Sequence, residues 1–175
     1  MKNFAIVLLF ILTFSSAAVA QRTVKAKEVV VKPDAKKEVQ ATFERLVEGI
    51  KQSDAKKVMS VYENSDRILF FNNNGTATIG WENMRSNRES LYAKTKNVTL
   101  DITGLRVEML GTNSAYVTCK WKQTQEYNGK LESASGRMTL VFRLVGKEWK
   151  VVHLHTSPDN PDATRPVFPS ERETQ

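Results

Sequence analysis

The chain has 175 residues, of which 41% are hydrophobic and 26% are charged, and it contains a single cysteine. These values fit one globular domain and exclude a disordered or fibrous protein. The formal net charge is +7, but the basic residues are spread along the chain. Nucleic-acid binding usually requires a clustered basic patch, so no nucleic-acid partner is predicted. Cys119 has no second cysteine to pair with, and the fold must therefore be stabilised without a disulfide.

The first 20 residues have the pattern of a secretory signal peptide. Lys2 precedes an apolar run over residues 4–14, and the small residues Ala18 and Ala20 follow it. This order predicts cleavage after Ala20 and a periplasmic or extracellular protein. The apolar run is too short to span a bilayer as a helix, so no membrane association is expected once the signal is removed.

Proline and glycine mark the boundaries of the folded part. All 5 prolines lie outside residues 34–157, and all 8 glycines lie inside that range. We therefore divide the mature chain into a basic leader at 21–33, one domain at 34–157, and a proline-rich, flexible tail at 158–175.

Within the domain the predicted helices come first and the long strands last. Asp34 begins a helix whose apolar residues recur at helical spacing as far as Ile50, and Ser53 or Asp54 begins a shorter one. A strand at 68–71 leads into an asparagine-rich turn, and a third helix begins near Gly80. Strands follow at about 97–110, 114–127, 130–145 and 148–157. This order predicts an α+β fold with helices packed on one face of an antiparallel sheet.

Two tight turns predict which side chains share a face of the sheet. The Asn128-Gly129 turn pairs Trp121 with Gly136, Cys119 with Met138 and Val117 with Leu140. The Gly146-Lys147 turn pairs Leu144 with Trp149, Phe142 with Val151, Leu140 with His153 and Met138 with His155. Because directly opposed residues share a face, both histidines are expected to point inward with these apolar residues.

The chain resembles the SnoaL-like branch of the nuclear transport factor 2-like superfamily. The resemblance covers roughly residues 36–157 and is most specific in the pattern Trp-x-Val-x-His-x-His-x-Ser that closes the domain at 149–157. The Gly-Arg-Met-Thr-Leu-Val segment at 136–141 and the Gly80-Trp81 helix start belong to the same resemblance. It implies a cone-like, curved antiparallel sheet wrapped around three N-terminal helices, as in the nuclear transport factor 2-like and cystatin-like folds. It also implies a pocket and pairing through the sheet.

The resemblance does not select a reaction, because one fold supports many chemistries. Isomerases and cyclases of this superfamily place an acidic general base in the pocket, whereas the inward strand positions here carry no unambiguous carboxylate. Three asparagines, Asn72 to Asn74, follow the first strand instead.

His153 and His155 are the only histidines, and three interpretations of them remain open. As catalytic residues, one of them would act as a general base near neutral pH. As zinc ligands they would need a third protein ligand, and no carboxylate is clearly placed to supply it. As pocket-lining groups they would orient a ligand or hold the strand. No metal and no cofactor is predicted.

A set of aromatic, sulfur-containing and hydroxyl side chains is predicted to line a pocket for a small, largely apolar molecule. The set comprises Tyr62, Phe71, Trp81, Trp121, Cys119, Met138, Phe142 and Ser157. Each of them could equally be an ordinary core residue, and Cys119 is expected to be one.

The opposite face of the predicted sheet carries a semi-apolar centre with a cationic rim. Val141, Val152 and Leu154 lie at the centre, and basic residues including Arg137 and Lys150 surround them. This pattern predicts a homodimer through the outer face.

Three functions follow: an exported binding protein for a small organic ligand, an isomerase, cyclase or hydrolase that uses a pocket histidine, and a non-catalytic dimerisation module.

Overall fold

The computed structural model describes residues 34–159, which form three helices and one six-stranded sheet. The predicted signal, the leader up to residue 33 and the tail from residue 160 lie outside this range. The helices are α1 (Ala35–Lys51), α2 (Ala55–Ser60) and α3 (Trp81–Tyr92). Asp54 caps α2, because its side chain accepts a hydrogen bond from Lys57 N at 2.9 Å, whereas Asp34 makes no side-chain cap to α1. No helix within 34–159 is long and apolar enough to cross a membrane.

The sheet is curved and open, and it lies against the helical layer. Its strands are β1 (Leu69–Phe71), β2 (Ala77–Ile79), β3 (Thr95–Met109), β4 (Ser114–Tyr127), β5 (Lys130–Val145) and β6 (Glu148–Pro158). Their order across the sheet is β2-β1-β6-β5-β4-β3. The predicted α+β class and the three helices are confirmed. The sheet is not wholly antiparallel, however, because β1 runs parallel to β6.

The core lies between the helices and the inner face of the sheet. Val39, Phe43 and Leu46 of α1 recur at helical spacing and are almost fully buried. From the sheet, Leu140 and Phe142 are 0% exposed and face them. Burial of this many apolar side chains is the main source of stability in a domain with no disulfide.

The register predicted from the first turn is confirmed in full. Tyr127 pairs with Lys130, Trp121 with Gly136 and Cys119 with Met138. Asn128 and Gly129 both have positive φ, as a two-residue hairpin turn of this type requires. The second turn also forms, and Leu144 pairs with Trp149 as predicted.

A β-bulge in β6 makes the predicted facing of the two histidines wrong. The pairing of Phe142 with Val151 agrees with the prediction, but the register then shifts by one residue. Val141 therefore pairs with His153, and Thr139 pairs with His155. A slip of one residue exchanges the faces of a strand, so both histidines lie on the outer face and Leu154 points inward with 5% exposure.

Backbone contacts with the segment after α2 account for the position of the bulge. Val151 N donates to Val61 O at 2.9 Å, and Glu63 N donates to Val151 O at 2.9 Å. Two residues later, His153 is already paired with Leu69 of β1. On this side, β6 is bonded to the segment after α2 at Val151 and to β1 from His153 onward. Val152, between them, is the extra residue of the bulge.

Candidate functional site

A cavity of about 880 Å³ lies between the helical layer and the inner face of the sheet. Leu46 and Ile50 of α1 line one side, while Trp121, Met138 and Leu154 line it from the sheet. The remaining lining residues are Tyr62, Asn72, Asn73, Asn74, Thr76, Thr78, Met84, Asn87, Arg88, Leu91, Leu100, Gln123, Gln125, Glu132, Ser133, Ala134 and Thr156. Tyr62, Trp121 and Met138 are the residues that this lining shares with the set predicted from the sequence.

The lining changes from apolar in the interior to polar at the rim. The buried lining residues are Leu46, Tyr62, Met84, Leu100, Trp121, Met138 and Leu154. The exposed ones include Asn73, Asn74, Glu132 and Ser133. Sites for small organic molecules commonly combine an apolar interior with a few polar groups that orient the ligand.

Arg88 places a cation on the otherwise apolar face of α3. It lies four residues after Met84 and four before Tyr92, so the three side chains share one side of the helix. Its guanidinium carbon lies 5.9 Å from the centroid of the Tyr92 ring. Arg88 Nε and Tyr92 Oη are both buried, and neither makes a well-aligned hydrogen bond among residues 34–159. The Arg88 guanidinium nevertheless lies close enough to act on the Tyr92 phenol. We call Arg88, Tyr62 and Tyr92 the Arg88 cluster.

The two tyrosines of the Arg88 cluster are neutral at physiological pH. Burial raises the pKa of Tyr62 to about 12, against the opposing charge of Arg88. Burial also raises the pKa of Tyr92, and the same guanidinium opposes the shift. Both phenols therefore keep their protons and can donate hydrogen bonds beside the cation.

Trp121 is the largest aromatic residue in the lining, and Gly136 makes room for its ring. Trp121 Nε1 donates to Arg137 O at 3.4 Å. A Cβ atom placed on Gly136 would lie 3.2 Å from Trp121 Cε2 and 2.1 Å from Ser157 O. A side chain at position 136 would therefore displace either the ring or strand β6.

Amide side chains order the rim of the cavity. Asn72 Nδ2 donates to Thr76 Oγ1 at 3.1 Å and to Thr78 Oγ1 at 3.2 Å. On the opposite side, Gln123 Nε2 donates to Gln125 Oε1 at 2.8 Å, and Gln125 Nε2 donates to Glu132 Oε2 at 3.2 Å. These side chains present hydrogen-bonding groups to any polar part of a ligand.

His153 and His155 do not line the cavity. His153 Nδ1 is 2.9 Å from Leu69 O, and both imidazole rings contact the Phe71 ring edge to face, at centroid distances of 5.7 and 5.6 Å. A general base has to reach the proton that it removes. The catalytic role predicted for the histidines therefore loses its geometric basis.

Of the other predicted ligand-binding residues, Tyr62, Trp121 and Met138 line the cavity and the rest do not. Phe71 is on the outer face and is 41% exposed, and Ser157, opposite Arg137, is on that face too. Phe142 is fully buried in the core. Trp81 donates from Nε1 to Met59 O at 3.1 Å, which fixes α3 to α2.

Cys119 is a buried core residue, and burial raises the pKa of its thiol to about 11. A nucleophilic cysteine needs a low pKa, so this environment does not favour a catalytic thiol. Within residues 34–159 no group of three or more His, Cys, Asp or Glu side chains is arranged to hold a metal ion.

Arg88 is the main site residue that the sequence interpretation missed. The signal was available: the third helix carries Met84, Leu91 and Tyr92 on one apolar face, and Arg88 interrupts that face. A charged residue in an apolar stripe points to a polar function at that position.

The comparisons with known proteins agree with this architecture. The family of SnoaL-like domains matches residues 39–161. A nuclear transport factor 2-like superfamily protein from Salmonella enterica is similar, with 20% identity over 76% of this chain and 96% of that one, at a TM-score of 0.67. A ketosteroid isomerase-like protein from Erwinia carotovora atroseptica shares 15% identity over 74% of this chain and 100% of its own, at a TM-score of 0.63.

A protein of unknown function with a cystatin-like fold from Nostoc punctiforme is also similar, with 12% identity over 74% of this chain and 94% of its own, at a TM-score of 0.58. At these identities the structural likeness concerns the fold. No curated protein matches the chain.

Proposed function

The chain belongs to the SnoaL-like family, and on that premise we propose that it binds a small, largely apolar organic molecule in the cavity between its helices and its sheet. The cavity of about 880 Å³ is the observation that carries this proposal. Its size falls within the range of small-molecule sites. A purely structural association module would be expected to fill this space with side chains, as ordinary cores do.

Extraction of small molecules from the purified protein, followed by mass spectrometry, tests the proposal. Leu154→Trp would fill part of the cavity, because Leu154 lines it. His155→Trp introduces the same side chain at the next position on the outer face, and it serves as the matched control. We expect a copurifying ligand with the unmodified protein and with His155→Trp, and at least a roughly tenfold loss with Leu154→Trp.

Thermal unfolding of both variants separates loss of binding from loss of fold. Met138→Trp provides a second filling variant, because Met138 lines the cavity from the neighbouring strand. Equal ligand content in the filling variants and the control would contradict binding in the cavity. Absence of any copurifying small molecule from the folded protein would count against the proposal as well.

The geometry does not support proton transfer by His153 or His155 in the cavity. A proton-transfer reaction would need a base in the cavity, and the histidines lie on the other face of the sheet. Glu132 is the one carboxylate in the lining formed by the described residues. It is exposed at the rim, where Gln125 donates a hydrogen bond to it.

We further propose that the chain forms a homodimer through the outer face of its sheet. Phe71 is 41% exposed there and contacts His153, which pairs with Val141. Val141, Val152 and His153 are half-buried. His153 takes the place in this patch that the sequence interpretation gave to Leu154. Contiguous exposed apolar surface commonly marks a protein interface.

Sedimentation analysis tests the dimer. Val141→Asp places a charge in the patch, whereas Val145→Asp makes the same change at the exposed hairpin end, where Val145 is 39% exposed. We expect a monomer for Val141→Asp and a dimer for Val145→Asp and the unmodified protein. An unmodified protein that sediments as a monomer at tens of micromolar would exclude the interface.

We also propose export, on the sequence pattern of residues 1–20 alone. The mature protein should then begin at Gln21, as intact-mass measurement of the periplasmic or secreted fraction would show. A chain that retains residues 1–20 in the cytoplasm would contradict this.

A further inference from the structure

We infer that the molecule bound in the cavity is an organic acid, with its carboxylate held by Arg88 and its apolar body packed against Trp121, Met138 and Leu154. This inference rests on the proposed binding function and specifies the chemical class of the ligand.

The two arginines of α3 show why Arg88 is available to a ligand. Arg85 is satisfied by its own helix, because it donates to Glu82 at 2.9 Å and to Glu89 at 2.8 Å. Arg88, three residues later, forms no ion pair with any carboxylate among residues 34–159, and its buried Nε has no acceptor there. A buried donor on a cationic group is costly to leave without an acceptor.

The polar groups beside Arg88 are neutral hydrogen-bond donors, and none of them is negatively charged. Tyr62 and Tyr92 remain protonated because burial raises the pKa of both phenols. Tyr92 Oη is itself buried, and it makes no well-aligned hydrogen bond among the described residues. A cation with two neutral phenols beside it fits an anionic oxygen group, whereas an amine or a neutral apolar group would leave the cation unmatched.

The other charged residue of the lining does not neutralise Arg88. Glu132 is exposed at the rim, and no ion pair joins the two side chains. Within 34–159, no carboxylate lies within ion-pair distance of Arg88.

A carboxylate suits this cluster better than other anions do. The guanidinium group binds a planar carboxylate through two parallel N–H···O bonds. Trp121, Met138 and Leu154 are buried and offer apolar contact to the body of such an acid. Asn72 and Gln123 lie in the same lining, where they can bind hydroxyl or carbonyl groups on the ligand.

Calorimetric titration with matched acids and amides tests the inference on the full mature chain. Octanoate is compared with octanamide, and 1-naphthoate with 1-naphthamide, since each pair differs mainly in the charge of one group. At pH 7 we expect the acid of each pair to bind at least about tenfold more tightly than its amide.

Variants of the two arginines of α3 test whether Arg88 causes the preference for the acid over the amide. Arg88→Gln should abolish the preference for the acid, and Arg88→Lys should retain part of it, because lysine keeps the charge without the planar fork. Arg85→Gln removes the same charge from the solvent side of the same helix, and it should leave the preference intact. Loss of the preference in Arg85→Gln to the same extent would overturn the assignment to Arg88.

A pH titration of the unmodified protein keeps the test independent of how well Arg88→Gln folds. Binding of octanoate should weaken as its carboxyl group is protonated near about pH 4 to 5, whereas binding of octanamide should not. Equal affinity for acid and amide at pH 7 overturns the inferred ligand class and leaves the binding function standing. Failure of both acids and both amides to bind counts against the binding function too.

Discussion

Substitution of Gly136 by alanine should destabilise the protein strongly, because two strands meet closely at this residue. A Cβ atom at position 136 would lie 2.1 Å from Ser157 O, a backbone atom of β6. It would also lie 3.2 Å from Trp121 Cε2. Rotation of a side chain can relieve the second contact but not the first, so β5 and β6 must separate locally.

The cost can be worked out from the contacts that would be lost. An ordinary nonbonded carbon–oxygen separation is longer than about 3 Å, so the strands would have to move apart by about 1 Å at this point. The pairing of Arg137 with Ser157 and the hydrogen bond from Asp159 N to Ser135 O at 3.2 Å lie at the same place. Each lost hydrogen bond costs about 1 kcal/mol, and forced overpacking adds about 1 to 3 kcal/mol. We expect Gly136→Ala to lower the free energy of unfolding by about 3 kcal/mol.

Urea unfolding, followed by tryptophan fluorescence, measures this difference. Gly104→Ala is the matched control, because Gly104 has a φ of +61° and a Cβ atom added there would meet no atom within 4 Å apart from those of its two chain neighbours. Its backbone strain should cost only about 1 kcal/mol. A loss of less than about 1 kcal/mol for Gly136→Ala would show that the strands are not held as closely as the structure places them.

Three further predictions concern single groups. Burial raises the pKa of Tyr62 to about 12, so this tyrosine ionises in the unfolded chain first, as the pH rises past about 10. We therefore expect the free energy of unfolding to fall by roughly 2 kcal/mol by about pH 12. Alkaline unfolding curves of Tyr62→Phe should lack this loss. Burial raises the pKa of the Cys119 thiol to about 11. At about pH 8 we expect Cys119 to react with iodoacetamide at least about tenfold more slowly in the folded protein than in the urea-unfolded protein. Equal rates would contradict the burial of this thiol. Asp54→Ala removes the cap on Lys57 N and should cost about 1 kcal/mol in urea unfolding, whereas Asp34→Ala, which removes no side-chain cap, should cost clearly less.

Local sequence signals predicted most of the fold because the elements are regular where those signals act. The apolar spacing from Val39 to Ile50 predicts α1, and the Asn128-Gly129 turn predicts the whole register of β4 against β5. The short strand β2 was not predicted, because three residues with an exposed–half-buried–exposed pattern carry too little periodicity to stand out.

The residues that line the cavity were harder to predict than the fold, because a cavity forms only where side chains of the helices and the sheet leave space between them. Tyr62, Trp121 and Met138 were identified as inward-facing aromatic or apolar residues, and they line the cavity. Phe142 has the same character but is packed on all sides. Sequence shows which face a side chain occupies, whereas contact with the cavity depends on how far the sheet curves away from the helices at that point.

The position of the histidines shows where counting from a turn fails. The count from Gly146-Lys147 is correct as far as Val151, and it is wrong by one residue from His153 onward. The cause is not local, since Val61 and Glu63 bind the backbone of Val151 and Leu69 pairs with His153. A hairpin turn fixes the register only while both strands keep the same neighbours, and β6 changes its neighbour there. Leu154 inside and His155 outside are therefore consequences of a contact with a segment more than 80 residues earlier in the chain.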